Sequence, residues 1–184
     1  MKYHPTPPPI DRFHPTARAR NGLSAPMRQI DKMRLIHPSD NILHFGEGRA
    51  FEDTRLMEAW TQGDVTAYEP YGPDESKHLL PSPDKKFSLI ISIYVLNTLQ
   101  PEERLAAIDE MKARVTEHGY IIAALRTDEI NGTPYRDGVL TGRGTFQKTY
   151  WKREDQLQVG YPIYLNRDFV IVNIPHHNLE VMTP

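Results

Sequence analysis

Two glycines one residue apart, Gly46 and Gly48, follow the short apolar run 41–45, and a carboxylate, Glu69, closes a second such run at 65–68. Glycines at that spacing let the backbone approach a ligand, and a carboxylate at the end of the next strand accepts hydrogen bonds from ribose hydroxyls. The pair points to a nucleoside-binding turn of a Rossmann-like sheet. The same glycines would serve a plain strand-to-helix turn, where they relieve the same steric problem. Other groups with chemistry to offer surround the turn. His44 precedes it on the strand, where an imidazole can hold the turn, act as a base, or simply be a hydrogen-bonded core residue. Arg28 and Arg49 can each grip a carboxylate through paired N–H donors. Tyr94 and Asn97 fall at the exit of a later apolar run and point toward an acceptor, with helix capping the plainer role for Asn97 or Thr98. His176 and His177 are adjacent, so they face opposite sides of a strand, and no acids stand at ligand spacing; no metal site is predicted.

The elements that position these groups follow from periodicity. Ser24-Ala25-Pro26 opens a helix with Met27, Ile30, Met33 and Ile36 at helical spacing, ended by His37-Pro38. Residues 41–45 read as a buried parallel strand, and 50–60 as a helix packing Phe51, Leu56, Met57 and Trp60 on the sheet. A strand at 65–68 leads into a proline-rich loop of about 17 residues, long enough to suggest a binding loop, whose adjacent apolar pair is Leu79-Leu80. The run 87–96 is apolar on both faces and reads as the central strand. The helix at 101–115 has proline first, acids early, bases late, and Leu105, Ile108, Met111 or Lys112, and Val115 at core spacing. Gly119 releases a further strand at 120–125. The tail predicts an antiparallel pair at the sheet edge, formed by 145–151 and 169–174.

Composition narrows the classes. The chain of 184 residues suits one domain and carries no cysteine, which excludes disulfides, thiolate zinc sites and a cysteine nucleophile. No apolar run reaches the roughly 18 residues of a membrane span, and the first residues lack the apolar stretch of a signal peptide, so a soluble cytoplasmic protein without membrane contact is expected. The first 15 residues hold five of the 16 prolines, so residues 1–23 are predicted to be an extended basic arm ahead of a single domain at 24–184. Residues 1–36 carry seven Lys and Arg against Asp11 and Asp31, although the whole chain has a formal charge of −2. Such an arm is either solvated or placed to touch phosphates. The segment GRGTFQKTYWKR adds four positive charges with Phe146, Tyr150 and Trp151 between them, suited to stacking on bases or to protecting an edge strand.

SAPMR, LHFGEGRAFED, YEPY, LLPSPDKKFSLIISIYVLNTLQPEER and GTFQK together give residues 24 to about 150 a likeness to a known family. This stretch resembles the class I S-adenosylmethionine-dependent methyltransferases, and more narrowly those associated with DNA phosphorothioation gene clusters. The resemblance implies a Rossmann-like α/β fold with an abbreviated, mostly parallel sheet, an antiparallel C-terminal edge and helices on both faces. It implies S-adenosylmethionine as cofactor, with Gly46, Glu47 and Gly48 around its methionine part and Glu69 on its ribose. Leu80 and Tyr94 are placed near adenine or the acceptor, and Arg28, Phe45, Pro70, Ser92 and Ile93 complete the expected cofactor set. Tyr94, Asn97 and His44 are the catalytic candidates. The chain departs from the family pattern at His44, where an acid is usual two places before the first glycine, at Ala50 for a third glycine, and at Ser88 after Phe87. An Asn/Asp-Pro-Pro-Tyr signature is absent, Ser92-Ile93-Tyr94 standing in its place, which disfavours methylation of an exocyclic base amine.

Methyl transfer from a sulfonium asks little of side chains beyond positioning and exclusion of water, so the lack of an acid–base motif is compatible with it. The expected function is therefore methyl transfer by in-line displacement to a nucleic acid or small molecule. The alternatives are an inactive cofactor-binding regulatory or sequestering protein, a nicotinamide oxidoreductase, disfavoured by Phe51 where glycine or alanine is wanted, and an interaction module with no nucleoside affinity.

Overall fold

The computed structural model describes residues 22–48, 51–128, 131–135, 138–141, 146–148, 156 and 158–176. The predicted arm, apart from its last two residues, and Arg49, Ala50, Tyr150, Trp151 and His177 lie outside them. Helix α1 (Ala25–Lys32) begins at Ser24, whose hydroxyl accepts from Met27 N–H, with Pro26 in the first turn where its missing donor costs nothing. It stops short of the expected Ile36. Leu35 N–H reaches Ile30 O and Arg34 N–H reaches Asp31 O, a Schellman closure with Arg34 left-handed at φ 53°. Strand β1 (Ile42–Phe45), helix α2 (Phe51–Trp60), strand β2 (Val65–Tyr68), strand β3 (Phe87–Ile93), helix α3 (Pro101–Lys112) and strand β4 (Val115–Arg126) follow in the expected order.

Strands β1 to β4 are parallel, and β9 (Phe169–Asn173) lies antiparallel between β4 and β8 (Tyr161–Leu165), giving the order β2-β1-β3-β4-β9-β8. The carboxyl ends of β1 and β3 therefore flank the point where the strand order reverses, the usual ligand crevice of open α/β sheets. Alternating residues of the central strands feed two cores. Leu43, Phe45, Ile90, Ala123 and Val172 pack toward α3, while Ile42, Ile91, Ile122 and Ile171 pack toward Met27 and Ile30 of α1 and Met57 of α2.

Three local expectations are corrected. Leu105 is 63% exposed, and the buried stripe of α3 is Arg104, Ala107, Ile108 and Met111. Arg104 is accommodated because its guanidinium donates to Leu96 O and Leu99 O, both at 2.9 Å, which satisfies the buried charge. Val115 belongs to β4 and not to the helix. The edge partner of β9 is β8 and not the 145–151 segment, whose Phe146–Gln147 forms β7 in a separate three-stranded sheet with β5 (Thr133–Tyr135) and β6 (Gly138–Leu140). Asn166 builds the β8–β9 turn, its side-chain oxygen accepting from Asp168 N–H and Phe169 N–H at 2.8 Å.

Residues 70–86 connect β2 to β3 with no intervening strand or long helix; one short 3-10 turn spans Glu75–Lys77. The loop covers part of the α3-side core with Leu80, and Arg114 fixes it through Nε to Pro81 O at 2.7 Å. No helix among the described residues is long and apolar enough to cross a membrane.

Candidate functional site

The chain leaves β1 through Gly46 at φ +80° and Gly48 at φ +74°, backbone states that side-chain-bearing residues rarely adopt. A Cβ on Gly46 would collide with Cγ2 of Val95, so the turn and the β3 exit are in direct contact. Gly46 N–H and Glu47 N–H both donate to Tyr68 O, at 2.7 and 3.2 Å, seating the turn on the end of β2.

Glu69, one residue past β2, is 7% exposed. Its carboxylate accepts from Gly48 N–H at 2.6 Å and from Tyr71 N–H at 3.1 Å. Each carboxylate oxygen keeps a further lone pair, so the group can take two hydroxyls without giving up its hold on the turn. Burial, then Tyr71 and the Glu69 charge, push the Tyr68 hydroxyl above its ordinary pKa, so it stays protonated beside the carboxylate.

Glu47 faces inward. Thr54 Oγ1 donates to its Oε1 and Lys77 Nζ to its Oε2, each at 2.6 Å. His44, 1% exposed, lies 2.8 Å from Thr54 Oγ1 through Nδ1. Thr54 has one hydroxyl proton and gives it to Glu47, so His44 Nδ1 must be the donor to Thr54. His44 thus braces the turn from beneath, through α2, and its Nδ1 has no lone pair for proton abstraction.

At the end of β3, Tyr94 is left-handed at φ 62°, an uncommon state for a bulky residue. Its N–H donates to Ala124 O at 2.9 Å, and its ring lies 5.9 Å from the Arg126 guanidinium. Asp128 binds that guanidinium through two nitrogens. The hydrogen bond from Arg126 lowers the Asp128 pKa and in turn raises that of Arg126. Ser92, 1% exposed on the α3 face of β3, has a hydroxyl with no hydrogen-bond partner among the described residues. A buried orphan of this kind costs about 1–3 kcal/mol, which a bound polar group would recover.

The other expected site residues are more dispersed. Phe45 is a core residue with its ring 5.1 Å from that of Tyr68. Pro70 is half-buried beside Glu69, Leu80 packs on the core, and the Ile93 side chain belongs to the opposite core, leaving only its backbone near the crevice. Arg28 is exposed on α1 and donates to Leu23 O. Asn97 is fully buried, its amide donating to Lys148 O at 2.9 Å and accepting from Arg126 N–H at 3.1 Å. Both ends are committed to backbone, so Asn97 organises the crevice wall and does not face an acceptor. It does not cap α3 either, because the N-cap is Gln100, whose N–H is taken by Glu103. Phe146 is 1% exposed and cannot stack on a base. Sequence reasoning missed Lys77, Thr54 and the Arg126–Asp128 pair; only the length of the loop carrying Lys77 hinted at a role.

The fold matches solved structures. A Burkholderia thailandensis 1,6-didemethyltoxoflavin-N1-methyltransferase, bound to 1,6-didemethyltoxoflavin and S-adenosylhomocysteine, superposes with TM-score 0.60 at 15% identity, covering 82% of this chain and 76% of that one. The fold is that of the class I methyltransferases. DhpI in complex with SAH matches with TM-score 0.58 at 14% identity over 82% of this chain and 83% of that one. The glycopeptide N-methyltransferase MtfA, complexed with S-adenosylhomocysteine, matches with TM-score 0.54 at 12% identity over 84% and 91%. No protein-family model matches the chain, and no curated protein matches it in sequence.

Proposed function

We propose that this protein is an S-adenosylmethionine-dependent methyltransferase. The observation that carries the proposal is the turn at the strand-order reversal, where two left-handed glycines and a buried carboxylate, Glu69, are joined by the 2.6 Å bond to Gly48 N–H. That is the geometry a nucleoside's ribose needs: close backbone approach beside an acceptor of hydroxyl protons. The Ser92 hydroxyl, unsatisfied among the described residues, lies near the same carboxyl end of the sheet, further support for a polar ligand there.

S-adenosylmethionine, when bound, supplies a methyl group already activated on a sulfonium. The work left to the chain is to bind, orient and keep out water. Glu69 holds the ribose, the glycine turn admits the amino-acid part, and Tyr94 with Arg126 forms the wall toward the acceptor. His44 is 1% exposed with Nδ1 committed to Thr54, and Asn97 is fully buried, so neither presents a base to the crevice, and an acceptor that is nucleophilic without deprotonation, such as a neutral amine or ring nitrogen, fits best. The N-methyltransferases among the structural matches support that choice. The narrower kinship with phosphorothioation-associated enzymes, and the nucleic acid it would suggest, rest on sequence motifs.

Calorimetric titration with S-adenosylhomocysteine and, separately, NADH tests the proposal. Micromolar binding of the first alone is expected, followed by transfer of labelled methyl in a screen of small amines, DNA and RNA. Binding of neither would leave an interaction module, and binding without transfer a cofactor-sequestering protein.

A further inference from the structure

We infer that Lys77 is a positioning residue of the cofactor site, acting through Glu47 to fix the glycine turn in its binding conformation. This rests on the methyltransferase reading above. Among the described residues Lys77 is the one side chain bonded to Glu47 from outside β1, α2 and the turn, and it comes from 30 residues away in the loop after β2. Its ammonium meets Glu47 Oε2 at 2.6 Å, and its carbonyl accepts from Glu69 N–H at 2.8 Å. One residue thus holds both acids of the site, Glu47 by its side chain and Glu69 by its backbone.

The physical need is set by burial. The Glu47 side chain is 1% exposed, and a carboxylate so placed is tolerated only when paired and hydrogen-bonded. All the donors in its chain point inward: His44 donates to Thr54, Thr54 to Glu47, and Lys77 closes the other oxygen. Among the described residues only Lys77 brings a positive charge to the carboxylate. Without it, Glu47 must take up a proton or leave its pocket, and either change alters the backbone between two left-handed glycines. The Lys77 side chain is 23% exposed and its ammonium lies 4.9 Å from the Phe51 ring centroid, so it is held in place on the first residue of α2.

The test is the dissociation constant of S-adenosylhomocysteine, measured by calorimetry at a temperature where circular dichroism shows native structure. This ligand carries no net charge, so losing a lysine does not weaken it by long-range electrostatics. Lys77→Met should bind it about tenfold or more weakly, the scale typical of second-layer partners, and Lys77→Arg should stay within about threefold of wild type. The double variant Glu47→Gln/Lys77→Met removes both charges and so avoids an unpaired buried carboxylate; it should lose no more affinity than Lys77→Met alone, because the pair acts as a unit. If Lys77→Met does not fold, the double variant carries the test, with the same roughly tenfold loss expected. Wild-type affinity in a folded Lys77→Met or in the double variant, or losses that multiply, would overturn the inference while leaving the cofactor assignment standing. Failure of the wild-type protein to bind would overturn both.

Discussion

Among the described residues the backbone turns left-handed at two positions that are not glycine, Arg34 and Tyr94, and they sit at opposite ends of the sheet. Arg34 closes α1 with its side chain exposed and its strain confined to one helix end. Tyr94 is held by Ala124 O, by the facing Arg126 guanidinium and by a core contact, while the next residue, Val95, abuts Gly46. The difference separates incidental strain from supported strain. At Arg34 a glycine would do the same work with less steric cost. At Tyr94 three contacts, two of them from β4, over-determine an unfavourable state beside the ligand crevice, where such strain tends to persist for function.

The largest expected effect comes from closing the contact between the two halves of the crevice. Gly46→Val combines a left-handed β-branched residue with a collision at Val95, and should cost about 3 kcal/mol or more in chemical denaturation and abolish S-adenosylhomocysteine binding. Adding Val95→Ala should recover the part due to the collision but not the part due to φ; full recovery would show that the backbone state is unimportant. Glu69→Ala should weaken S-adenosylhomocysteine by about 1–3 kcal/mol in calorimetry, and an unchanged constant would reject its ribose role.

The two strained residues should then separate on substitution by glycine. Arg34→Gly should raise stability by about 0.5 kcal/mol, strain relief exceeding the added freedom of the unfolded chain, whereas Tyr94→Gly should lower it because packing is lost. Equal responses would erase the distinction. The smallest effect concerns the wall next to Tyr94. The folded pKa of Asp128 lies below its unfolded value because of the Arg126 hydrogen bond, so the pair stabilises the fold above the unfolded carboxylate pKa and loses that contribution as pH falls through the folded value. The stability difference between wild type and Asp128→Asn in chemical denaturation, a few tenths of a kcal/mol at neutral pH, should vanish as the pH falls through the lowered folded pKa of Asp128.

Most of the frame was legible because it is written in local patterns. The doubly apolar run of β3, the capped amphipathic α3 and the glycine pair after β1 each declare themselves within a few residues, and together they specify an α/β sheet with its crevice at Gly46 and Gly48. The misreadings arose where a distant partner decides. Leu105 has the hydropathy of a core residue, but Arg104 displaced it by reaching the carbonyls of Leu96 and Leu99. The strand β8 was hidden by Pro162 and by exposed Tyr161, Ile163 and Leu165, features of an edge strand that alternation does not flag. Nothing near Lys77 in sequence signals Glu47, and the buried ends of Asn97 are visible only once Lys148 and Arg126 are brought beside it.

The connection from β2 to β3 also sets how the site opens. With no crossover helix to fold independently, residues 70–86 are held to the body by a few points, among them Leu80 on the core, Arg114 on Pro81 and Lys77 on Glu47. A fluctuation that frees this segment exposes apolar surface and withdraws the cation from the turn in the same event. Under the proposed function, opening of the loop and loss of the binding conformation are one equilibrium, and S-adenosylhomocysteine is expected to slow amide exchange at Lys77 and His78.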